Sequence, residues 1–141
     1  MRIVVIDGQG GGLGATLVAR LKARLGGAVQ LWGVGTNALA TSAMLKAGAD
    51  RGATGENAVC WNAAHADLIL GPIGLLAANS LLGEVSPAIA AAVSAATARR
   101  ILIPVSSCGI LVAGAAGCRL EDALQNAVEL AAAVVGACAP P

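Results

Sequence analysis

Short β-branched runs alternate with segments of helical period, a glycine loop stands directly between the first strand and the first helix, and glycines or prolines punctuate most segment ends. Together these predict an α/β fold, a three-layer Rossmann-like sandwich with a mostly parallel sheet of five to six strands. Arg2 to Ile6 is apolar on both faces, as a central parallel strand covered by helices must be. From Leu13, leucines recur at 17, 21 and 25 on one helical face, with Arg20, Lys22 and Arg24 off it, and Gly26-Gly27 ends that helix. Val29 to Val34 reads as the second strand and Ala38 to Ala47 as a helix stopped by Gly48, completing a right-handed βαβ unit.

Residues 50 to 57 are polar and glycine-broken and read as a loop before a short strand at Ala58 to Trp61. Asp67 to Gly71 is the next strand, and Pro72-Ile73-Gly74 turns the chain into an apolar helix, Leu75 to Leu82, closed by Gly83. Ser86-Pro87 places a capping hydroxyl before a first-turn proline and opens a helix carrying Ile89 and Val93, with Arg99-Arg100 at its end. Ile101 to Val105 reads as a fifth strand and Ile110 to Ala113 as a candidate sixth. Glu121-Asp122 start a last helix, with Leu120, Leu124, Val128 and Ala131 on its buried face.

The 141 residues suit a single domain, assigned to 1–138, with a frayed tail at 139–141. Nine basic and eight acidic residues make up only 12% of the chain, about half the usual share. A surface so short of charge favours self-association into a homo-oligomer, a dimer first among them. A net charge of +1, no Tyr and no Phe leave nucleic-acid binding without an electrostatic footprint or a stacking platform. The longest uncharged stretch, Leu25 to Leu45, holds too many polar residues and glycines for a membrane span. Asp7 and the glycines after it interrupt any secretory signal, so the expected location is the cytoplasm, with no membrane partner. Four scattered cysteines without a CxxC pair then read as free thiols, and with one histidine they predict no metal site.

The strongest chemical signal is Gly8-Gln9-Gly10-Gly11-Gly12-Leu13-Gly14. Gly10, Gly12 and Ala15 satisfy the G-x-G-x-x-G/A spacing, and Gly8, Gly12 and Gly14 the G-x-x-x-G-x-G spacing that resembles short-chain dehydrogenases. Residues without side chains let the backbone approach a phosphate, and the unpaired N–H groups of a helix start can bind it. The loop has no Lys followed by Ser or Thr, which disfavours a Walker-type ATPase, and a chain without Tyr cannot supply the Tyr acid of those dehydrogenases. The expected cofactor is NAD(P) or another nucleotide; Gly35-Thr36-Asn37 at the end of the second strand offers no carboxylate to a ribose 2′-OH, so NAD itself is not singled out.

Ligands of parallel sheets bind beyond the carboxyl ends of the strands. That rule gathers Gly8, Gln9, Gly10, Gly11, Gly12 and Leu13 with Gly35, Thr36, Asn37 and with Gly71, Pro72, Ile73, Gly74 as the cofactor-binding set. Thr36 and Asn37 either bond a sugar or base or cap the helix from Ala38. Asp7 either meets a metal-bound phosphate or accepts loop N–H groups and stiffens the turn. Asp7, Asn37 and Cys108 are the candidates for catalysis, Cys108 alternatively being an inert buried thiol. Arg51, Glu56, Asn57 and Asn79 are further polar candidates, with loop or capping roles as the alternative; His65 fits a surface or packing role better, and Trp32 and Trp61 fit core or subunit contacts better than a base-stacking platform.

With those residues assembled, the sequence resembles a bacterial family, domain of unknown function 3842. The resemblance rests on Val5 to Gly12, Gly35 to Thr41, Ala47 to Ala49, Gly52 to Asn57, Gly71 to Gly74 and Ile101 to Pro104. It implies a small Rossmann-like protein with a cysteine at the position of Cys108, and no particular activity. Two functions follow. One is a nucleotide- or dinucleotide-binding protein that holds the ligand phosphate on the Gly8 to Gly14 loop; the other is a non-catalytic oligomeric interaction or regulatory module that keeps the fold without a cofactor.

Overall fold

The computed structural model describes residues 1–105 and 108–139; Pro140 and Pro141 of the expected tail lie outside them. Five strands form one parallel sheet: β1 (Arg2–Asp7), β2 (Gln30–Gly35), β3 (Arg51–Thr54), β4 (Leu68–Pro72) and β5 (Arg99–Ile103). Their order is β3-β2-β1-β4-β5, the Rossmann-like arrangement, with β1 at the centre. The helices are α1 (Gly12–Leu25), α2 (Ala38–Lys46), α3 (Glu56–His65), α4 (Pro87–Ala95) and α5 (Leu120–Cys138).

Alternation along β1 divides the core. Ile3 and Val5 face Leu17, Leu21 and Met44 together with Leu124 and Val128 of α5, whereas Val4 and Ile6 face Val59 of α3 and Ile89 and Val93 of α4. Both faces of β1 are buried, which is why its sequence is a continuous apolar run instead of an alternating one. The α1 leucines behave as their spacing predicts: Leu17 and Leu21 are buried, and Leu13 and Leu25 pack at the margin. Gly26 leaves α1 at φ +58° and returns its N–H to the Lys22 carbonyl.

Several local expectations are corrected. The polar stretch after Asp50 contains β3, and Ala58 to Trp61 belongs to α3. Val59, Asn62 and Ala63 are the buried positions of that segment, a three-and-four spacing that only a helix satisfies. The apolar run from Leu75 does not form an α-helix; one 3₁₀ turn, Ile73–Leu76, is followed by turns in which Asn79, Leu81 and Leu82 take positive φ. Ile110 to Ala113 is not a strand: turn bonds from Ala115 to Val112 and from Cys118 to Ala115 coil it, and Gly109, Gly114 and Gly117 have positive φ. Arg99-Arg100 open β5 instead of ending α4, and Leu120 is exposed while Leu124, Ala127, Val128 and Ala131 form the buried stripe of α5.

Among the described residues, no helix is long and apolar enough to cross a membrane. The four cysteines carry free thiols.

Candidate functional site

In this strand order, the connection leaving β1 runs toward β2 and the one leaving β4 runs the opposite way, toward β5. The carboxyl ends of β1 and β4 therefore face an open crevice, the switch point where parallel sheets take ligands. A cavity of about 270 Å³ lies there, at the small end of ligand pockets and large enough for a phosphate and part of its attached group. The loop from Gly8 to Gly12 and Leu13 forms one wall, and Pro72, Leu81 and Val105 form an apolar one.

The glycines divide by role. A Cβ on Gly8 would sit 2.6 Å from the Thr36 hydroxyl, one on Gly11, at φ +72°, would sit 2.7 Å from the Ala40 backbone, and one on Gly14 would sit 2.7 Å from the Asp7 side chain. The fold itself requires glycine at these three positions. Gly10 and Gly12 differ, since a Cβ on either meets nothing within 4 Å. Around the same wall, the N–H groups of Gly10, Gly12 and Leu13 meet no acceptor among the described residues. Donors without a partner among the described residues, grouped at a helix start, have the arrangement that anions bind elsewhere.

Asp7 sits beneath the loop and is almost fully buried. Its Oδ1 accepts the Gly8 N–H at 2.8 Å and its Oδ2 the Gly14 N–H at 2.7 Å, so the carboxylate braces both ends of the turn. Burial raises its pKa above the ordinary 3.8, with the Glu84 charge acting in the same direction, against the two N–H bonds that lower it.

Glu84, which no sequence signal picked out, is the hub of the loops. It accepts the Gln9 N–H at 3.0 and 3.1 Å, the Thr36 hydroxyl at 2.9 Å and the Asn37 amide at 2.6 Å. Partial desolvation pushes its pKa up, yet the bonds from Asn37, Gln9 and Thr36 outweigh that and hold it below the ordinary 4.5. A carboxyl depressed in this way adds stability that is complete above pH 4.5 and is lost as pH falls through the lower folded value. The stability advantage of the native protein over Glu84→Gln, measured as a urea midpoint, should therefore shrink between pH 5.5 and pH 3.5. An advantage that stays constant or grows over that range would contradict the clasp.

The structure thus brings Asp7 and the glycine loop together with Pro72. Thr36 and Asn37 come close but with their donors engaged: both amide hydrogens of Asn37 go to Gln9 O and Glu84, and its Oδ1 caps α2 through the Ala40 N–H at 2.9 Å. Gly35 and Gly71 are packing glycines, since a Cβ on each would come within 2.5 Å of Thr41 Oγ1 and of the Ile6 carbonyl respectively. Ile73 opens the 3₁₀ turn, and Gly74 lies under Ser80 and Cys108. The Cys108 thiol donates to the Val105 carbonyl at 3.1 Å, behind one of the residues that line the cavity.

Arg51 opens the edge strand β3, Glu56 and Asn57 lie in the first turn of α3, and Asn79 takes φ +68° in the loop that leads to Glu84. Elsewhere, the Arg2 guanidinium lies 4.3 Å from the Trp32 ring centre, and Trp61 stacks on His65. Among the described residues no group of three or more His, Cys, Asp or Glu could hold a metal ion.

The family model described as a domain of unknown function (DUF3842) matches residues 2–136. No curated protein gives a significant match. Among solved structures, the chain is similar to the crystal structure of a dodecameric FMN-dependent Ubix-like decarboxylase from Escherichia coli O157:H7. The identity is 14% over 96% of this chain and 94% of that one, with a TM-score of 0.46. Such a likeness is too slight to carry a residue or a ligand across.

Proposed function

The chain belongs to the family of the domain of unknown function DUF3842, and from its own site we propose that it is a nucleotide-binding protein whose glycine loop holds a ligand phosphate at the β1/β4 switch point. The observation that carries this reading is the coincidence of three N–H groups without an acceptor among the described residues with the open space at Gly10 and Gly12 on one cavity wall. A tight turn that bound nothing would need glycine only where contacts or positive φ demand it, at Gly8, Gly11 and Gly14. NAD(P) or another nucleotide fits the array; the apolar wall of Pro72, Leu81 and Val105 suits a ring system next to the phosphate.

Self-association is part of the same proposal, with a dimer as the simplest form. The scarcity of charge and the exposure of Leu82 and Leu111, both at 90% or more, support it. A cytoplasmic location suits the four free thiols.

Native mass spectrometry of freshly purified protein, followed by denaturation and identification of any released molecule, reads ligand and stoichiometry together. A thermal-shift series with ADP, ADP-ribose, NAD, FMN and FAD completes the test. The expected result is a bound or stabilising nucleotide on an oligomer. An empty protein that none of the five stabilises would overturn the nucleotide reading and leave an interaction module in its place.

A further inference from the structure

No Lys, Arg or His lines the glycine-loop cavity among the described residues. Its fixed charges are negative: Asp7 lines it, and Glu84 lies one peptide behind the loop, its oxygens 3.0 and 3.1 Å from the Gln9 nitrogen. A Cβ on Gly8 would come within 3.4 Å of the same carboxylate. An anion bound on the loop N–H groups therefore meets hydrogen-bond donors at short range and a carboxylate field behind them.

We propose that Glu84 determines the charge of the phosphate this site accepts, favouring the phosphodiester type, as in the pyrophosphate bridge of a dinucleotide, over a terminal phosphate. This rests on the nucleotide-binding reading above and deepens it to a ligand class. A bridging phosphate carries one negative charge, whereas a terminal phosphate monoester carries about 1.5 to 2 at pH 7, its second pKa lying near 6. One additional charge at roughly 6 Å from a carboxylate weakens binding about a hundredfold at an effective dielectric of 20. Solvent screening of a partly exposed site reduces that to about tenfold.

The clasp does not itself demand the charge. Gln9 N–H, the Thr36 hydroxyl and the Asn37 amide need acceptors, and a glutamine carbonyl is one. What a carboxylate adds at this position is a negative potential on the phosphate side of the loop. Glu84 stays ionised through the neutral range, because its bonds hold it below the ordinary carboxyl value. It touches no ligand in this scheme and is a specificity-determining residue, not a catalytic one.

The test uses the full chain and two matched ligand pairs, ADP with ADP-ribose and FMN with FAD. In each pair the second member carries the terminal phosphate of the first as a singly charged bridging phosphate. Calorimetric titration at pH 7.5 should give the bridged member a tenfold or greater advantage. Glu84→Gln should narrow that ratio to about threefold or less, mainly by improving the monoester. A second measurement needs no variant: at pH 5.5 the terminal phosphate takes up a proton, and the ratio in the native protein should narrow in the same way. Asp7 also repels the additional charge of the monoester, but it is the same in the native protein and in Glu84→Gln, so the narrowing caused by the variant reports Glu84. A native protein that binds the monoester equally or more tightly overturns the proposal while the nucleotide reading stands. So does a ratio that Glu84→Gln leaves unmoved, whether or not it moves with pH. If none of the four ligands binds, this proposal falls, and if NAD does not bind either, the nucleotide reading falls with it.

Discussion

Gly12→Asp should abolish the proposed nucleotide binding and leave the fold intact. Gly12 is the first residue of α1, and a Cβ there enters open space, so the backbone tolerates a side chain. The first turn of α1 holds no acidic residue. A carboxylate at that position adds about 0.3–1 kcal/mol of favourable interaction with the helix dipole, so the melting temperature should hold or rise slightly. The same carboxylate occupies the region in front of the Gly10, Gly12 and Leu13 N–H groups and competes for them. Repulsion between it and a phosphate about 4 Å away is on the order of 4 kcal/mol at an effective dielectric of 20, which is close to a thousandfold in affinity. Titration with ADP-ribose and FAD, paired with thermal melts, checks both halves. Affinity within threefold of the native protein would remove the loop from the binding site; loss of binding with a melting point lowered by more than about 5 °C would make Gly12 a folding residue.

What the sequence revealed of this site follows from which contacts are local. The strand, the turn glycines and the leucine face of α1 lie within 24 consecutive residues, and each carries its own pattern of apolarity, spacing or missing side chain. The bracing role of Asp7 is equally local, because its two partners are one and seven positions away. Glu84 is different. It bonds residues 75, 48 and 47 positions distant, and along the chain it stands between Gly83 and the Ser86-Pro87 cap, neither of which gives its carboxylate a role. Only the packing of three separate loops at one sheet edge gives it a role, so propensity and spacing could not show it.

The misread elements fail for a related reason. Arg51-Gly52-Ala53-Thr54 has little apolar content of its own and is a strand because β2 supplies the ladder and Leu45 and Thr41 pack closely over Gly52. The Leu75 to Leu82 run has helix-forming residues, but the chain must turn back to place Glu84 against Gln9 and Asn37, and a continuous helix would carry it away. Residues Leu81 and Leu82 at φ +54° and +56° mark the cost of that turn. At the other end of the sheet, Pro104 follows β5 without an N–H to extend a ladder, and three positive-φ glycines coil the chain where a sixth strand was expected.

Asp7→Ala destabilises the protein by about 2–4 kcal/mol, the largest stability effect expected at the site. The substitution leaves the Gly8 and Gly14 N–H groups buried beneath the loop without an acceptor. Each such orphan costs about 1–3 kcal/mol. Release of a desolvated carboxylate offsets part of the sum. At about 2–4 °C per kcal/mol for a chain of this size, the melting temperature should fall by roughly 5–15 °C. Asp7→Asn should lie in between, because one amide oxygen can still accept while its NH₂ opposes the second N–H. The sign of the pH dependence separates this effect from that of Glu84. A carboxyl whose folded pKa is raised contributes most below its unfolded value of 3.8 and loses that contribution as pH rises through the folded value. The gap between the native protein and Asp7→Ala should therefore be wider at pH 4 than at pH 7, the reverse of the trend expected for Glu84→Gln. Urea midpoints of the three proteins at both pH values decide the matter: a gap for Asp7→Ala that widens toward pH 7 would mean that the ionised carboxylate, and not its burial, dominates at the base of the loop.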